Sequence, residues 1–397
     1  MDFSLNEEQE NYRQSLRGFC EKKIAPRSAE IDEEGEIPRK LISEMGEAGL
    51  FGVTISPEYG GSNGGFFKAA LVAEEIARAE ISMAAAVYFV VEAGWGFLLN
   101  RYGTDRAKQE ILPDMVKGKT FLGIASTEST GGSDIGSTST TMTMKNGILE
   151  LNGAKSYISG VREAGRYGGG YVTIVRTEPE TSHKGLSLCY LPVKDWPGVS
   201  VSTQRQMGRE GISNGFIKID KAEVPGHYLI GELNKGFYYA MEGFNCARTL
   251  VSAACIGAAA KVMDTGIAYI RKRKVFNTPL AGFEGIQFQL AENYLKLETA
   301  RLLVYKAASL LDRNYSGNPV NSREINMAVA AAKIAAPTAA FDIIKDVMMW
   351  HGAYGYTKAA GLERGLRGVA SYLMGAEGAQ NIMKKIIARD ILGKEFS

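Results

Sequence analysis

The apolar residues of this chain change their spacing twice, and that change constrains the fold more than any other feature. Up to about residue 120 they recur at helical intervals, as at Tyr12, Leu16, Phe19 and Cys20. Ser4-Leu5-Asn6-Glu7 has the form of a capping box at the start of this helix, and Ala25-Pro26 stops it. Similar patterns lie around Leu41–Leu50, Ala69–Ala79 and Ile111–Val116, separated by the turn-rich Ser56-Pro57-Glu58-Tyr59-Gly60-Gly61. From about 121 to 232 the period shortens to that of strands. Thr141–Met144 leads through Asn146-Gly147, a hairpin-type turn, into Ile148–Leu151. Tyr171–Val175, Leu186–Leu191 and Phe216–Asp220 continue the series, which predicts a compact antiparallel barrel or sandwich.

After about residue 233 the helical period returns. One stripe contains Phe237, Met241, Phe244, Val251 and Ile270; another contains Ile286, Leu290, Tyr294, Leu297 and Val304. Further helices are expected over 322–350 and 359–392, with Pro337 kinking or interrupting the first of them. Long helices with short connections predict a four-helix bundle. The expected fold class is therefore α+β multidomain: a helical domain at 1–120, a β domain at 121–232 and a helical bundle at 233–397.

Bulk properties narrow the function. The 46 basic and 44 acidic residues leave a formal charge of +2, so no field favours nucleic acid or an anionic membrane. No apolar run approaches the roughly 20 residues of a membrane span. Cys20, Cys189, Cys246 and Cys255 form no CxxC pair and read as buried thiols in a reducing compartment. The opening Met1-Asp2-Phe3-Ser4 has neither signal- nor transit-peptide character, and the expected location is the cytoplasm.

Three chemical motifs fail. Gly211-Ile212-Ser213-Asn214-Gly215 fits GxSxG, but that elbow needs a helix after it and Phe216–Asp220 alternates like a strand. Only His183, His227 and His351 are available as bases for such a serine. Gly118-Lys119-Thr120 resembles the end of a P-loop, yet Pro113 stands where its leading glycine belongs. No HExxH and no strand-following GxGxxG exist, so neither a metal nor Rossmann chemistry has support.

Other segments, in order along nearly the whole chain, carry a resemblance. They are Ile55–Gly61, Thr127-Glu128 with Gly132-Ser133-Asp134, and Asn152-Gly153-Ala154-Lys155-Ser156-Tyr157-Ile158-Ser159. Arg273-Lys274-Val275-Phe276, Gly352–Tyr356 and Glu377-Gly378 follow. Together they resemble the FAD-dependent acyl-CoA dehydrogenase family. The resemblance implies α,β-dehydrogenation of an acyl-CoA, FAD between the β domain and the bundle, an electron-transferring flavoprotein as acceptor, and a homotetramer.

By motif position, Ser126 and Thr127 would meet the flavin's polar edge. Tyr157 would pack on the ring system in place of the usual Trp, with Ser159 beside it. Arg273 and Phe276, together with Gly352, would contact the cofactor, Arg273 and Phe276 that of a neighbouring subunit. Ser133 and Arg248 would hold the CoA portion. For Arg248, set in an apolar helix, a structural ion pair is the alternative.

The base, a carboxylate beside the α-carbon, falls on Glu377 when the family's Y-E-G-T segment is aligned backwards from Ala388-Arg389. Aligned forwards from Arg367 the same column falls on Ala376, so one residue is inserted; a solvated cap carboxylate is the other reading of Glu377. The family's second base position, just before Arg248, is Ala247 and therefore empty. Gly375 and Ala376 replace a bulky residue, which predicts room for a branched, cyclic or aromatic substituent. Glu92, in the apolar run Val87–Trp95, is a second candidate acid or base, or else a structurally paired or surface carboxylate. Asn277, Glu284 and Ala379 depart from family residues, so that several expected FAD hydrogen bonds would be missing or replaced. A flavin-poor acyl-CoA-binding relative, and an oxidase or enoyl-CoA reductase on the same fold, are the competing functions.

Overall fold

The chain is described here by a computed structural model covering residues 4–179 and 182–393. Met1–Phe3 of the opening stretch lie outside these. The first part contains α1 (Glu7–Lys23), α2 (Ser28–Glu34), α3 (Arg39–Glu47), α4 (Gly65–Ala79), α5 (Ala84–Tyr102) and α6 (Asp105–Val116). The cap of α1 is Asn6 rather than Ser4: the Gln9 N–H donates to Asn6 Oδ1 at 2.8 Å, and the Asn6 N–H donates to Gln9 Oε1 at 3.0 Å. Two overlapping S/N-x-x-E/Q frames compete there, and the later one satisfies both backbone donors. Helix α5 is buried on all sides over residues 84–96.

The middle part comprises β1 (Phe121–Ala125), β2 (Thr141–Lys145), β3 (Ile148–Ser159), α7 (Val161–Tyr167), β4 (Gly169–Arg176), β5 (Leu186–Pro192), β6 (Val199–Gln204), β7 (Asn214–Pro225) and β8 (Leu229–Ile230). The Asn146-Gly147 turn joins β2 to β3 with both φ values positive, +53° and +76°, as a type I′ turn requires. The expected purely antiparallel domain is corrected. The strands form one mixed sheet in the order β6-β7-β3-β2-β4-β5-β8, with β1 parallel to β4 from Phe121↔Gly169 to Ala125↔Thr173. A long connection separates β1 from β4, and only such a crossover lets two strands pair in parallel.

The last part holds α8 (Gly236–Lys272), a short hairpin of β9 (Lys274–Val275) and β10 (Thr278–Pro279), α9 (Glu284–Tyr315), α10 (Ser322–Trp350), α11 (Leu362–Met374) and α12 (Gln380–Leu392). At Gly257 a Cβ would come within 1.9 Å of the Glu74 carbonyl oxygen, so α8 and α4 meet backbone to backbone. Pro337 does not interrupt α10, which continues through it in a buried setting. Packing against α8, α9, α11 and α12 offsets the lost hydrogen bond, a cost of about 3 kcal/mol. The single helix expected over 359–392 is instead two, broken at 375–379.

The reading that no apolar run approaches a span is also corrected. Helices α8 and α10 are long and apolar enough, with mean hydropathy 1.4 and 1.5, but 78% and 61% of those windows are buried inside the protein. They read as core helices. All four cysteines are buried and unpaired.

Candidate active site

The break between α11 and α12 is the centre of the site. Gly375 and Gly378 bracket it, and Gly378 has φ +102°, a conformation that L side chains rarely adopt. Between them Glu377 faces a cavity of about 730 Å³ bounded by the sheet, α5, α8 and α11. Two buried cations tie this turn down. Arg248 on α8 donates from Nε to the Glu377 carbonyl oxygen at 2.8 Å. Lys333 on α10, fully buried, donates to Tyr372 O at 2.8 Å and to Gly378 O at 3.4 Å. The Tyr372 carbonyl near the end of α11 and the Glu377 and Gly378 carbonyls of the break thereby gain charged donors.

Burial pushes the Glu377 carboxyl above its ordinary value, and the charges of Arg248, Lys333 and Arg209 pull the other way. Burial likewise lowers Arg248 to about 10 and Lys333 to about 8. The Glu377 N–H has no protein acceptor among the described residues.

On the opposite wall, β3 departs from regular pairing with β7 between Lys155 and Ile158. Tyr157 sits in that irregularity with φ +59° and is 62% exposed. A bulge re-aims a side chain in this way, at the cost of local strain. Ser126, Thr127 and Ser159 line the same cavity, and their hydroxyls have no protein partner among the described residues. An exposed aromatic face beside unpaired hydroxyls fits a flat ring with a polar edge, as FAD would present.

Behind this wall lies an ion pair the sequence reading did not pick out. Lys155 and Glu128 meet at 2.8 Å, both buried. Glu128 also accepts from the N–H and hydroxyl groups of Ser139 and Thr140. Its carboxyl is held at about 2, because Lys155 and these donors outweigh burial, the largest single influence. Lys155 and Glu128 both occur within the quoted motif segments, so their opposite charges in β-rich surroundings were the available signal.

The structure brings Ser126, Thr127, Ser133, Tyr157, Ser159, Arg248, Ala376 and Glu377 to one cavity. Four predicted residues stand apart. Glu92 is fully buried on α5 and directed to β1, where one carboxylate oxygen accepts the Leu122 N–H at 3.3 Å and the other has no partner among the described residues. Burial raises its pKa well above the usual range, while its neighbours Val87, Val90 and Val91 line the cavity. The surface reading of Glu92 is thereby corrected, and the Leu122 bond agrees with the structurally paired one. Arg273, Phe276 and Gly352 are exposed away from the cavity; Phe276 is 92% exposed at the tip of the β9–β10 hairpin. Ala379, a departure from the family pattern, occupies the N-cap of α12 and supplies no side-chain cap.

Comparison with known proteins gives one consistent picture. Residues 6–119, 123–222 and 234–392 match the N-terminal, middle and C-terminal domains of acyl-CoA dehydrogenase. The chain is 34% identical to the acryloyl-CoA reductase (NADH) of Anaerotignum propionicum, covering 99% of this chain and 96% of that one. It is 33% identical to the 3-(aryl)acrylate reductase of Clostridium sporogenes, covering 98% and 99%. A solved glutaryl-coenzyme A dehydrogenase in complex with glutaryl-CoA superposes with a TM-score of 0.91 at 31% identity, covering 99% and 97%.

Proposed function

The chain belongs to the acyl-CoA dehydrogenase family, and on that premise we propose that Glu377 removes the α-proton of its acyl-CoA substrate. It is an oxidoreductase acting on CH–CH bonds, with FAD as cofactor. The observation that carries the assignment is that Glu377 is the only carboxylate lining the cavity among the described residues. Its raised pKa brings it nearer the range in which a general base works at neutral pH.

Bound FAD supplies the acceptor for the β-hydrogen and its electron pair. Ser126, Thr127 and Ser159 would offer hydroxyls to its polar edge, and Tyr157 would lie against its ring. The Glu377 N–H, lacking a protein acceptor, donates to the thioester carbonyl as negative charge develops there. Ser133, exposed at the rim, meets the CoA portion. Arg248 bonds the Glu377 backbone through Nε and Asn245 Oδ1 through Nη1, leaving Nη2 without a protein acceptor among the described residues. Two relatives are named as reductases, which supports a second direction on the same geometry, with protonated Glu377 giving its proton to the α-carbon. In the dehydrogenating direction the electrons pass on to an electron-transferring flavoprotein.

Gly375 and Ala376 leave space next to Glu377 for a branched, cyclic or aromatic acyl group. The test is anaerobic addition of an acyl-CoA panel to the yellow holoenzyme. The flavin band should bleach fastest with the bulky members. Rapid bleaching by straight chains, with none by branched or cyclic ones, would sink the bulk preference. A protein that stays colourless when supplied with FAD would replace the redox reading with acyl-CoA binding alone.

The functional unit is a homotetramer in this proposal. Phe288, Leu295 and Leu302 stand 63%, 64% and 45% exposed at seven-residue spacing on α9. A row of exposed apolar side chains on one helix face suits packing on another subunit. Phe288→Asp with Leu295→Asp should shift the native mass from four copies to fewer, read by light scattering. A variant that remains tetrameric would remove α9 from the interface.

A further inference from the structure

The cavity carries a buried cation that bonds none of the backbone around Glu377 and reaches the base only through its charge. Arg248 and Lys333 bond the backbone around the base, but Arg209, on the segment between β6 and β7, does not. It is 7% exposed, lines the cavity, and forms no ion pair among the described residues. Its Nη2 donates to Gln206 Oε1 at 3.2 Å, its guanidinium stands 5.7 Å from the centre of the Tyr372 ring, and its Nε is buried without a partner among the described residues. A buried guanidinium with an orphaned donor is unfavourable unless something else pairs with it.

The backbone shows that this position is enforced. Arg209 has φ +61°, in the left-handed region. It is flanked by glycines that admit no side chain. A Cβ on Gly208 would lie 2.6 Å from the Arg367 carbonyl carbon, and one on Gly211 would lie 2.3 Å from Ile31 Cγ2. Gln206 is oriented in turn, its amide nitrogen donating to Arg209 O at 3.2 Å and Ile212 O at 3.1 Å. The segment is wedged so that the guanidinium is set in the cavity wall.

From this geometry we infer that Arg209 binds a carboxylate carried by the acyl group of the substrate, with Gln206 positioning it. The inference rests on the acyl-CoA reading of the same cavity and names its substrate class: an acyl-CoA bearing a carboxyl substituent. The phosphates of CoA are the other source of an anion. They enter from the exposed side, where Gly132 and Ser133 form the rim, whereas Gly208 and Arg209 are buried.

The test uses the holoenzyme and two CoA thioethers, which lack the carbonyl and cannot be dehydrogenated. One is S-(4-carboxybutyl)-CoA, the other S-pentyl-CoA, and unmodified CoA is the third titrant in calorimetry. Wild-type protein should prefer the carboxylated thioether by roughly 10- to 100-fold, the range expected for a hydrogen-bonded charge pair. Arg209→Met should collapse that ratio toward one, and Arg209→Lys, which keeps the charge, should retain part of it. Equal binding of both thioethers by wild type, or a preference that survives in the Met variant, overturns the inference. So does an equal loss of affinity for unmodified CoA, which would assign Arg209 to a phosphate. A carboxylate preference in a protein whose flavin no acyl-CoA bleaches would keep this inference and remove the redox reading. Bleaching by neutral acyl-CoAs alone would do the reverse.

Discussion

Glu377→Gln should slow anaerobic bleaching of the flavin by a good acyl-CoA substrate by roughly 10²- to 10⁴-fold, the usual contribution of a positioned general base. The substitution is nearly isosteric, and Arg248 bonds the backbone carbonyl of residue 377 rather than its side chain, so the turn should persist. FAD content and acyl-CoA affinity should therefore change little. The pH dependence follows from the sign of the shift. Burial raises the folded-state pKa of Glu377, and proton abstraction needs the ionised form. Wild-type bleaching should rise with pH through that raised value, and the Gln variant should lose this limb of the profile.

The same shift gives a stability control. A carboxyl with a raised folded-state pKa contributes stability below its unfolded value that disappears as pH climbs through the folded one. At neutral pH the wild type thus bears the burial penalty, reduced by Arg248, Lys333 and Arg209. The Gln variant should melt no lower than wild type there. Low activity with unchanged melting and flavin content identifies a chemical defect. Wild-type bleaching rates in the variant would move the base elsewhere.

How much of this was legible depends on the range of each interaction. The two changes of period locate the helical and β regions because periodicity is a local signal. Helix α5 gave no period, since residues 84–96 are buried on every side and nothing polar marks an outer face. The break at 375–379 was visible as Gly375 and Gly378, yet the apolar spacing on either side was compatible with one continuous helix. Lys333 illustrates the limit. A lysine among Ala330, Ala332 and Ala335 is odd in sequence, but its acceptors, Tyr372 O and Gly378 O, are 39 and 45 residues away. Arg209 looks like an ordinary loop cation until the packing of Gly208 and Gly211 shows that it faces inward. Glu92 shows the converse. Its apolar neighbourhood was legible, but the direction of its side chain was set by Leu122 of β1, thirty residues on.

Lys155→Met should lower the stability of the protein by about 3–5 kcal/mol, the cost of stranding one member of a buried ion pair. Glu128 would keep its Ser139 and Thr140 donors but lose the cation bonded to it, Lys155. The defect should reach the cofactor wall, because the pair belongs to the framework behind it. Lys155 Nζ also donates to Ser126 O at 3.3 Å, and the Ser156 N–H donates to Thr127 O at 2.8 Å. These bonds fix the backbone whose hydroxyls face the cavity, so the variant should purify with less FAD per chain. The acid limb supplies a separate signature. A carboxyl depressed to about 2 contributes stability that is present above its unfolded pKa and lost as pH falls through the folded one. Without Lys155 the folded value rises, so this contribution shrinks at neutral pH and disappears at a higher pH on acidification. Adding Glu128→Gln to Lys155→Met removes the stranded charge and should recover part of the loss. Urea unfolding across pH, read beside the flavin-to-protein absorbance ratio, separates these outcomes. Wild-type stability with full flavin content in Lys155→Met would mean that the Ser139 and Thr140 donors alone hold Glu128.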